Sequence, residues 1–210
     1  MPILDIVIGP EGPQGPTGPS GASVSVFGLT GVAGTFYMVP NAAVGGSGVP
    51  NVDDEVAIPF IVSVTTTIKT VSINVDTAAV GGSGAQLLVG IRQDNNGLPG
   101  TLLETTPVFD LYTAGIATVS LASSLTLNPG VYWLTYVYQY TSVPTTTPAV
   151  NQIGSALTGP VLVASAAAGL SNNTYYGYYQ TGVSGALPST FTNAGPAYSP
   201  NIPIQAVFGT

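Results

Sequence analysis

The sequence contains no cysteine and no histidine and has very few charged residues. Of its 210 residues, nine are Asp or Glu and two, Lys69 and Arg92, are basic. Without Cys there can be no disulfide and no thiolate metal ligand. Without His or Cys the usual nucleophile–base pairs of enzymes are absent as well. No apolar run reaches the length of a transmembrane helix.

The shortage of basic residues excludes two classes of partner. With a net charge of −7 and no basic cluster, the chain cannot neutralise the phosphates of a nucleic acid or dock on an anionic membrane. Ser, Thr, Asn and Gln supply the polarity instead. A neutral, hydroxyl-rich surface suits a protein displayed outside a cell or on a particle. The hydrophobic fraction of 45% is enough for a sizeable core.

Glycine recurs at every third position near the start of the chain. The glycines are Gly9, Gly12, Gly15, Gly18 and Gly21, and Pro10, Pro13, Pro16 and Pro19 follow the first four. Three polyproline-II chains wind together when Gly occupies the crowded axis, so residues 9–22 predict a collagen-like stalk about 40 Å long in a homotrimer. So short a run needs an adjoining trimeric domain to hold its strands together. The alternative is a polyproline-like linker in a monomer.

The segments on either side of the stalk have different compositions. Residues 1–8 are apolar and lack the basic residues of a signal peptide, so we predict that they dock on a particle assembled in the host cytoplasm. The side chains expected to dock are Ile3, Leu4, Ile6, Val7 and Ile8. Residues 23–56 form a transitional segment with one strand at 35–39. Residues 57–210 form the head.

The head alternates short β-branched stretches with turns rich in Gly, Pro and Asn. Strands are predicted at 57–64, 68–76, 85–93, 115–121 and 131–140, with further candidates at 161–165, 174–180 and 202–208. No stretch has a useful helical stripe, although residues 161–170 are alanine-rich enough for a helical turn or two. The pattern predicts an all-β, jelly-roll-like sandwich. Trp133 and Val137 are expected to share its core face, and Lys69 to face solvent.

A repeated hexapeptide stands outside these strands. AVGGSG occurs at 43–48 and again at 79–84. The residues that flank the two copies do not match, so we interpret the hexapeptide as a recurring loop composition rather than a structural duplication.

Carboxylates are the remaining candidates for chemistry. Paired carboxylates can hydrolyse glycosides, and the available ones are Asp53, Asp54, Glu55, Asp94, Glu104 and Asp110. Adjacent carboxylates in a loop more often cap a turn, keep an edge solvated or bind a cation, so we predict no enzyme and no cofactor. DNNG at 94–97 has part of a Ca²⁺ loop but lacks the other ligands, and we predict a β-turn there. A cation at 53–55 or at Asp94 stays an open alternative.

Tyrosine is concentrated in the stretch NNTYYGYYQTG at 172–182. A strand there places tyrosines on both faces, so some must contact solvent, a partner chain or a ligand. Tyr offers a large amphipathic contact area at low entropic cost. We therefore expect a subunit interface or a ligand contact, with an ordinary core strand as the alternative. The residues concerned are Tyr175, Tyr176, Tyr178 and Tyr179.

Residues 87–139 resemble a β-sandwich segment that recurs in bacteriophage tail-fibre and other virion proteins. The matching positions are Asp94, Gly97, Pro99, Gly100, Leu102 and Leu103, then Pro129, Gly130, Tyr132, Trp133 and Leu134. The family's strand ends on an aromatic residue, where this chain has Arg92. We expect GLPG at 97–100 to reverse the chain, the two following leucines to re-enter the core, and NPG at 128–130 to turn before a buried strand. The resemblance covers about a quarter of the chain and implies no catalytic residue.

The order of lead, stalk and head favours a homotrimeric virion appendage. In this hypothesis a tail fibre or tailspike docks through residues 1–8 to other virion proteins and projects its head towards a host-surface glycan. A trimeric capsid decoration protein or head fibre shares this construction and stays an alternative. A bacterial or spore surface protein fits the resemblance less well. A polysaccharide depolymerase would need a longer chain and a clearer acid pair.

Overall fold

Two antiparallel β-sheets make up the part of the chain that the structure describes. The computed structural model describes residues 36–39, 44–153, 177–192, 195–197 and 204–210, and within these ranges it has thirteen strands and no helix. The predicted all-β class and the two-sheet sandwich are confirmed. The predicted lead at 1–8, the stalk at 9–22 and the alanine-rich stretch at 161–170 lie outside the described residues.

The first sheet has six strands centred on β4. In chain order they are β1 (Phe36–Val39), β2 (Val44–Gly48), β4 (Thr66–Thr77), β8 (Gly115–Leu127), β10 (Ala149–Ile153) and β13 (Ala206–Gly209). One edge of β4 pairs with β8, and its other edge pairs with β13 and then with β10. β1 extends the sheet beyond β13, and β2 extends it beyond β10. Lys69 lies exposed on β4, as predicted.

The second sheet has seven strands in the order β12-β11-β3-β9-β5-β6, with β7 pairing beside β5. They are β3 (Glu55–Val62), β5 (Gln86–Asn95), β6 (Leu98–Thr105), β7 (Phe109–Asp110), β9 (Gly130–Gln139), β11 (Gly177–Gln180) and β12 (Gly195–Ala197). β9 lies between β3 and β5 and pairs with both along nearly its full length. This central position explains why β9 is buried on both faces.

The core between the sheets is aliphatic and aromatic. Alternate residues of β4 point into it, as do Leu134, Tyr136 and Tyr138 of β9. Trp133 and Val137 do share a face, but it is the outer face of the seven-stranded sheet, so their predicted place in the main core is wrong. Leu134, Tyr136 and Tyr138 fill the space between the sheets, and a separate segment covers Trp133 and Val137.

That covering segment is residues 181–192, which we call the strap. It leaves the end of β11 and crosses the outer face of the seven-stranded sheet. Val183 and Leu187 pack on Val137, while Phe191 packs on Trp133. The backbone N–H of Leu102 in β6 donates to the carbonyl of Ser189, 2.9 Å away, which fixes the strap at the sheet edge. The six-stranded sheet covers the inner face of the seven-stranded sheet, and the strap, which has no regular secondary structure, covers its outer face.

A two-residue turn joins β5 to β6. Asn95 pairs with Leu98, and Asn96 and Gly97 both have positive φ, 54° and 82°. These values are those of the type I′ turn that favours Asn-Gly in hairpins. The predicted β-turn at 94–97 is confirmed.

The predicted chain reversal at GLPG is wrong. Leu98 begins β6, which runs to Thr105, because the reversal is already complete at Gly97. Pro99 is tolerated within β6 because that strand lies at the edge of its sheet. Of the two leucines that follow, Leu102 packs under the strap and Leu103 is exposed, so only one re-enters a core.

The two ends of the sandwich differ in the length of their connections. At the first, which we call the root end, β4 begins, and β1 runs in the same direction as β4 because both are antiparallel to β13. Among the connections that the structure describes in full, those at the root end have two or three residues: 63–65, 96–97 and 128–129. At the opposite end, the loop end, three connections have six to nine residues: 49–54, 78–85 and 140–148. The long loops among the described residues thus lie at the end towards which β1 runs.

Candidate functional site

A buried ion pair lies on the outer face of the seven-stranded sheet, under the strap. Glu55 of β3 and Arg92 of β5 are both fully buried, and the Arg92 Nη2 lies 2.7 Å from Glu55 Oε1. Arg92 Nε donates to the same carboxylate oxygen at 2.9 Å. Thr135 and Gln180 also donate to the Glu55 carboxylate. A buried carboxylate with this many donors is well satisfied, so the pair is a structural element of the fold.

Arg92 also donates to β6 and to the strap. Nη1 donates to the carbonyl of Gly100 at 3.1 Å, and Nη2 donates to the carbonyl of Pro188 in the strap at 2.8 Å. The guanidinium also lies 5.4 Å from the ring centroid of Phe191, within cation–π range. A planar fork with five donors suits this arrangement, and an apolar side chain could not reproduce it.

Gln180 links the same carboxylate to the end of the strap. Its amide nitrogen donates to Glu55, and its amide oxygen accepts from the backbone N–H and the hydroxyl of Thr192 at 2.7 and 3.0 Å. Gln139 adds a similar bond at the other end of the strap, because its Nε2 donates to the carbonyl of Val183 at 2.8 Å. The strap is therefore held by polar bonds at both ends and by Arg92 in the middle.

Two of the tyrosines predicted to make a contact, Tyr178 and Tyr179, lie on opposite faces of β11. Tyr178 lies on the strap side, with its ring centroid 5.7 Å from that of Trp133, and Tyr179 packs against the main core. Both are half-buried, so each contributes to a core and keeps some surface for another contact. Tyr175 and Tyr176 lie outside the described residues.

The described carboxylates make separate contacts. Glu55 faces inward to Arg92, whereas Asp54 accepts from the side-chain amide of Asn51 at 3.1 Å. Asp94 accepts from the indole N–H of Trp133 at 2.8 Å and from the Gly97 N–H at 3.1 Å, so it orders the turn. Among the described residues no three carboxylates are placed to hold a metal ion.

Two of the long loops at the loop end are hydrogen-bonded to each other. Residues 78–85 and 140–148, which we call the paired loops, are joined by backbone hydrogen bonds between Val80 and Thr146 and between Ser83 and Ser142. The hydroxyl of Thr145 also donates to the carbonyl of Val80 at 2.7 Å. Long loops that bond to each other in this way form a preorganised surface rather than two independent loops.

Glycines allow the paired loops to approach so closely. A Cβ added at Gly82 would lie 2.5 Å from the carbonyl oxygen of Ser142, and Gly82 also has a positive φ of 66°. The second copy of AVGGSG therefore has a definite structural role, and its interpretation as a loop is confirmed. The first copy is different: residues 44–48 form β2, so the prediction of a loop there is wrong.

The surface of the paired loops is apolar at its tips and neutral between them. Val143 is 69% exposed and Val80 is 57% exposed, which are high values for large aliphatic side chains. Hydroxyl groups of Ser and Thr lie between them, and the paired loops contain no charged residue. A partner that binds here must offer apolar groups and hydrogen bonds rather than charge.

Tyrosines support the base of the paired loops. The rings of Tyr138 and Tyr140 are 5.8 Å apart, edge to face, and the Tyr112 hydroxyl accepts from the Ala85 N–H at 3.4 Å. Burial, with smaller effects of Tyr140 and Tyr112, raises the pKa of Tyr138 to about 12. Its hydroxyl has no hydrogen-bond partner among the described residues. The base of the paired loops is thus largely apolar, although it contains the hydroxyl groups of Tyr112, Tyr138 and Tyr140.

Comparisons with protein-family models, with curated proteins and with solved structures find no match. Function must therefore be argued from this chain's own sequence and geometry. Among the described residues there is no helix of the length and apolar character needed to cross a membrane.

Two features of the site were missed at the level of sequence. The first is the buried ion pair, although a single Arg within the apolar stretch LLVGIRQ must find a partner if its strand is buried. The second is the pairing of residues 78–85 with 140–148. Nothing in either loop predicts that they meet, because the contact depends on where β4, β5 and β9 end.

Proposed function

We propose that the protein is a homotrimeric virion appendage of the tail-fibre or tailspike type. Residues 1–8 dock it on the particle, residues 9–22 form the stalk, and the β-sandwich is a head that contacts the host surface. One observation carries the proposal: β1, the first described strand, runs in the direction from the root end to the loop end, and the exposed, preorganised paired loops lie at the loop end.

The direction of β1 supports this polarity. β1 pairs with the C-terminal strand β13 level with the middle of β4, and it runs in the direction from the root end to the loop end. A stalk that precedes β1 therefore joins the head at the root end and leaves the loop end facing outwards. Loops on a rigid sandwich are also where binding residues are usually concentrated.

The chemistry of the paired loops supports a neutral partner. Val80 and Val143 offer apolar contact, the surrounding hydroxyls offer donors and acceptors, and neither loop is charged. Because the nearby loop at 49–54 adds Asp53 and Asp54, the loop end repels anionic polymers. A neutral host-surface glycan is consistent with this surface.

Capsid decoration is the second candidate. The same trimer could bind the capsid through residues 1–8 and stabilise it, with the loop end exposed but unused. The buried ion pair and the strap favour a durable head, which both functions need. The two functions differ in where the copies lie on the particle and in whether the loop end contacts the host.

An adsorption experiment separates the two functions. Purified full-length protein, in excess over virus, is added to host cells before infection, and attachment is counted. We expect it to reduce attachment, and we expect the double variant Val80→Asp with Val143→Asp to lose at least about tenfold in blocking potency, because charge would replace apolar contact.

The control is Val131→Asp, an exposed aliphatic position at the root end of β9. This variant should block like the unmodified protein. If saturating unmodified protein leaves attachment unchanged, and labelled copies lie over the capsid and not on the tail, decoration replaces recognition as the function.

A further inference from the structure

The longest strand at a sheet edge is β8, which covers residues Gly115–Leu127. It pairs with β4 along one edge, and no described strand pairs with its other edge. Residues 115–120 pair regularly with residues 70–75 of β4. That regular half of β8 presents unpaired backbone groups, which are a template for pairing with another chain.

The other edges of the described sheets are short or protected. β1 and β2 have four and five residues, and β7 and β12 have two and three. β6 is longer but contains Pro99, and the strap covers its edge through the bond from Leu102 N–H to Ser189. Short strands, proline and covering loops are the devices by which proteins keep sheet edges from associating.

The regular half of β8 has none of these devices. Residues 115–120, GIATVS, contain no charged residue and no proline. The second half is different, because residues 121–124 bulge opposite Lys69 and interrupt the pairing with β4. The bulge protects that half of the edge and leaves residues 115–120 as the segment available to a partner.

An apolar side chain marks this same segment. Ile116 is 79% exposed, the highest value among the exposed large hydrophobic residues of the described chain. It lies on the outer face of the sheet together with Thr118 and Ser120, which are also exposed. A single exposed aliphatic residue is ordinary on a protein surface, but beside an unprotected edge it adds apolar contact area for a strand or surface that packs there.

We infer that residues 115–120 of β8 pack against a second copy of the chain. The inference rests on the proposed trimer, since the Gly-X-Y run of residues 9–22 needs three parallel chains. With the strands of three copies aligned along the stalk, β8 of one copy can lie along its neighbour for the whole length of the segment. An edge with no charge fits such close contact.

Photo-crosslinking in the full-length chain tests this interface. Benzoylphenylalanine is introduced in place of Ile116 and, separately, in place of Val143, which is similarly exposed but lies on the paired loops. After irradiation, denaturing gels should show covalent dimers and trimers for the probe at 116 and a single-chain band for the probe at 143. The native mass of each sample is measured beforehand.

A charge at the same position gives an independent readout. Ile116→Asp should weaken association by about tenfold or more, because three carboxylates would be buried against neighbouring chains, whereas Val143→Asp should not change it. A cooperative unfolding transition, followed by the fluorescence of Trp133, would show that each variant is folded, and a lower midpoint is expected for Ile116→Asp because it associates less.

The results separate this interface from the proposed trimer. If the native mass is that of a trimer but the probe at 116 yields only single chains and Ile116→Asp associates normally, the interface is wrong and the trimer stands. If the unmodified chain is a monomer at micromolar concentration, both the interface and the trimeric appendage are wrong.

Discussion

Replacing Arg92 with Met should be among the most damaging single changes in the head. The substitution keeps most of the side-chain volume but removes the charge that pairs with Glu55 and the donors to Gly100 and Pro188. A buried ion pair that loses one partner typically costs 3–5 kcal/mol, about half of the stability of an ordinary domain. We expect a loss of about 4 kcal/mol in the free energy of unfolding.

The assay is urea unfolding followed by the fluorescence of Trp133, the single tryptophan of the chain. The matched control is Lys69→Met, which removes the only other basic residue from an exposed position on β4 and should cost less than about 0.5 kcal/mol. All samples are compared at one protein concentration, because association adds to apparent stability.

Two further measurements test the mechanism. The double variant Arg92→Met with Glu55→Leu should be more stable than the sum of the two single losses predicts, because no charge is left buried without a partner. In Arg92→Met, chymotrypsin should cut faster at Leu187 or Phe191, because the strap loses its central bond. If Arg92→Met behaves like Lys69→Met in both assays, the ion pair does not hold the strap and the reasoning is refuted.

Two other predictions concern the loop end. The pKa of Tyr138 is about 12 in the folded chain and about 10 in an unfolded one. The folded state therefore holds this proton more tightly. The resulting stability is present below pH 10 and is lost as the pH rises through 12. Between pH 10 and 12 the free energy of unfolding of the unmodified protein should fall by roughly 2 kcal/mol more than that of Tyr138→Phe. Urea unfolding at each pH measures this difference. An identical pH dependence in the two proteins would contradict the prediction. Gly82→Ala should cost at least about 2 kcal/mol, because a Cβ would meet the Ser142 carbonyl at a positive φ, whereas Gly97→Ala, with positive φ but open space, should cost about 1 kcal/mol. Equal losses in thermal unfolding would show that the paired loops adjust to the extra atom.

Strand positions could be predicted from the sequence wherever β-branched residues are dense. The stretches at 57–64, 68–76, 85–93 and 131–140 match β3, β4, β5 and β9 to within a few residues. The glycine-rich β2 was missed because its residues have low β propensity. It forms a strand because β10 offers it an edge to pair with, which is a tertiary cause that no local pattern records.

Faces were harder to predict than strands. In β9 the alternation was visible, but both faces are buried, so the sequence could not indicate which set of residues lies between the sheets. The same limit applies to Glu55, which follows Asp53 and Asp54 and resembles one more solvated carboxylate. Its burial follows from its register opposite Val137 and from the position of Arg92 on the next strand but one, and long-range pairing of this kind is not encoded in any local stretch.

The stoichiometry and polarity of the whole molecule are the central claim, and electron microscopy of the purified full-length protein tests them most directly. The account predicts particles with threefold symmetry, in which three heads meet a single stalk at their root ends and their paired loops point away from it. Single heads at micromolar concentration, or heads joined through their loop ends, would contradict it.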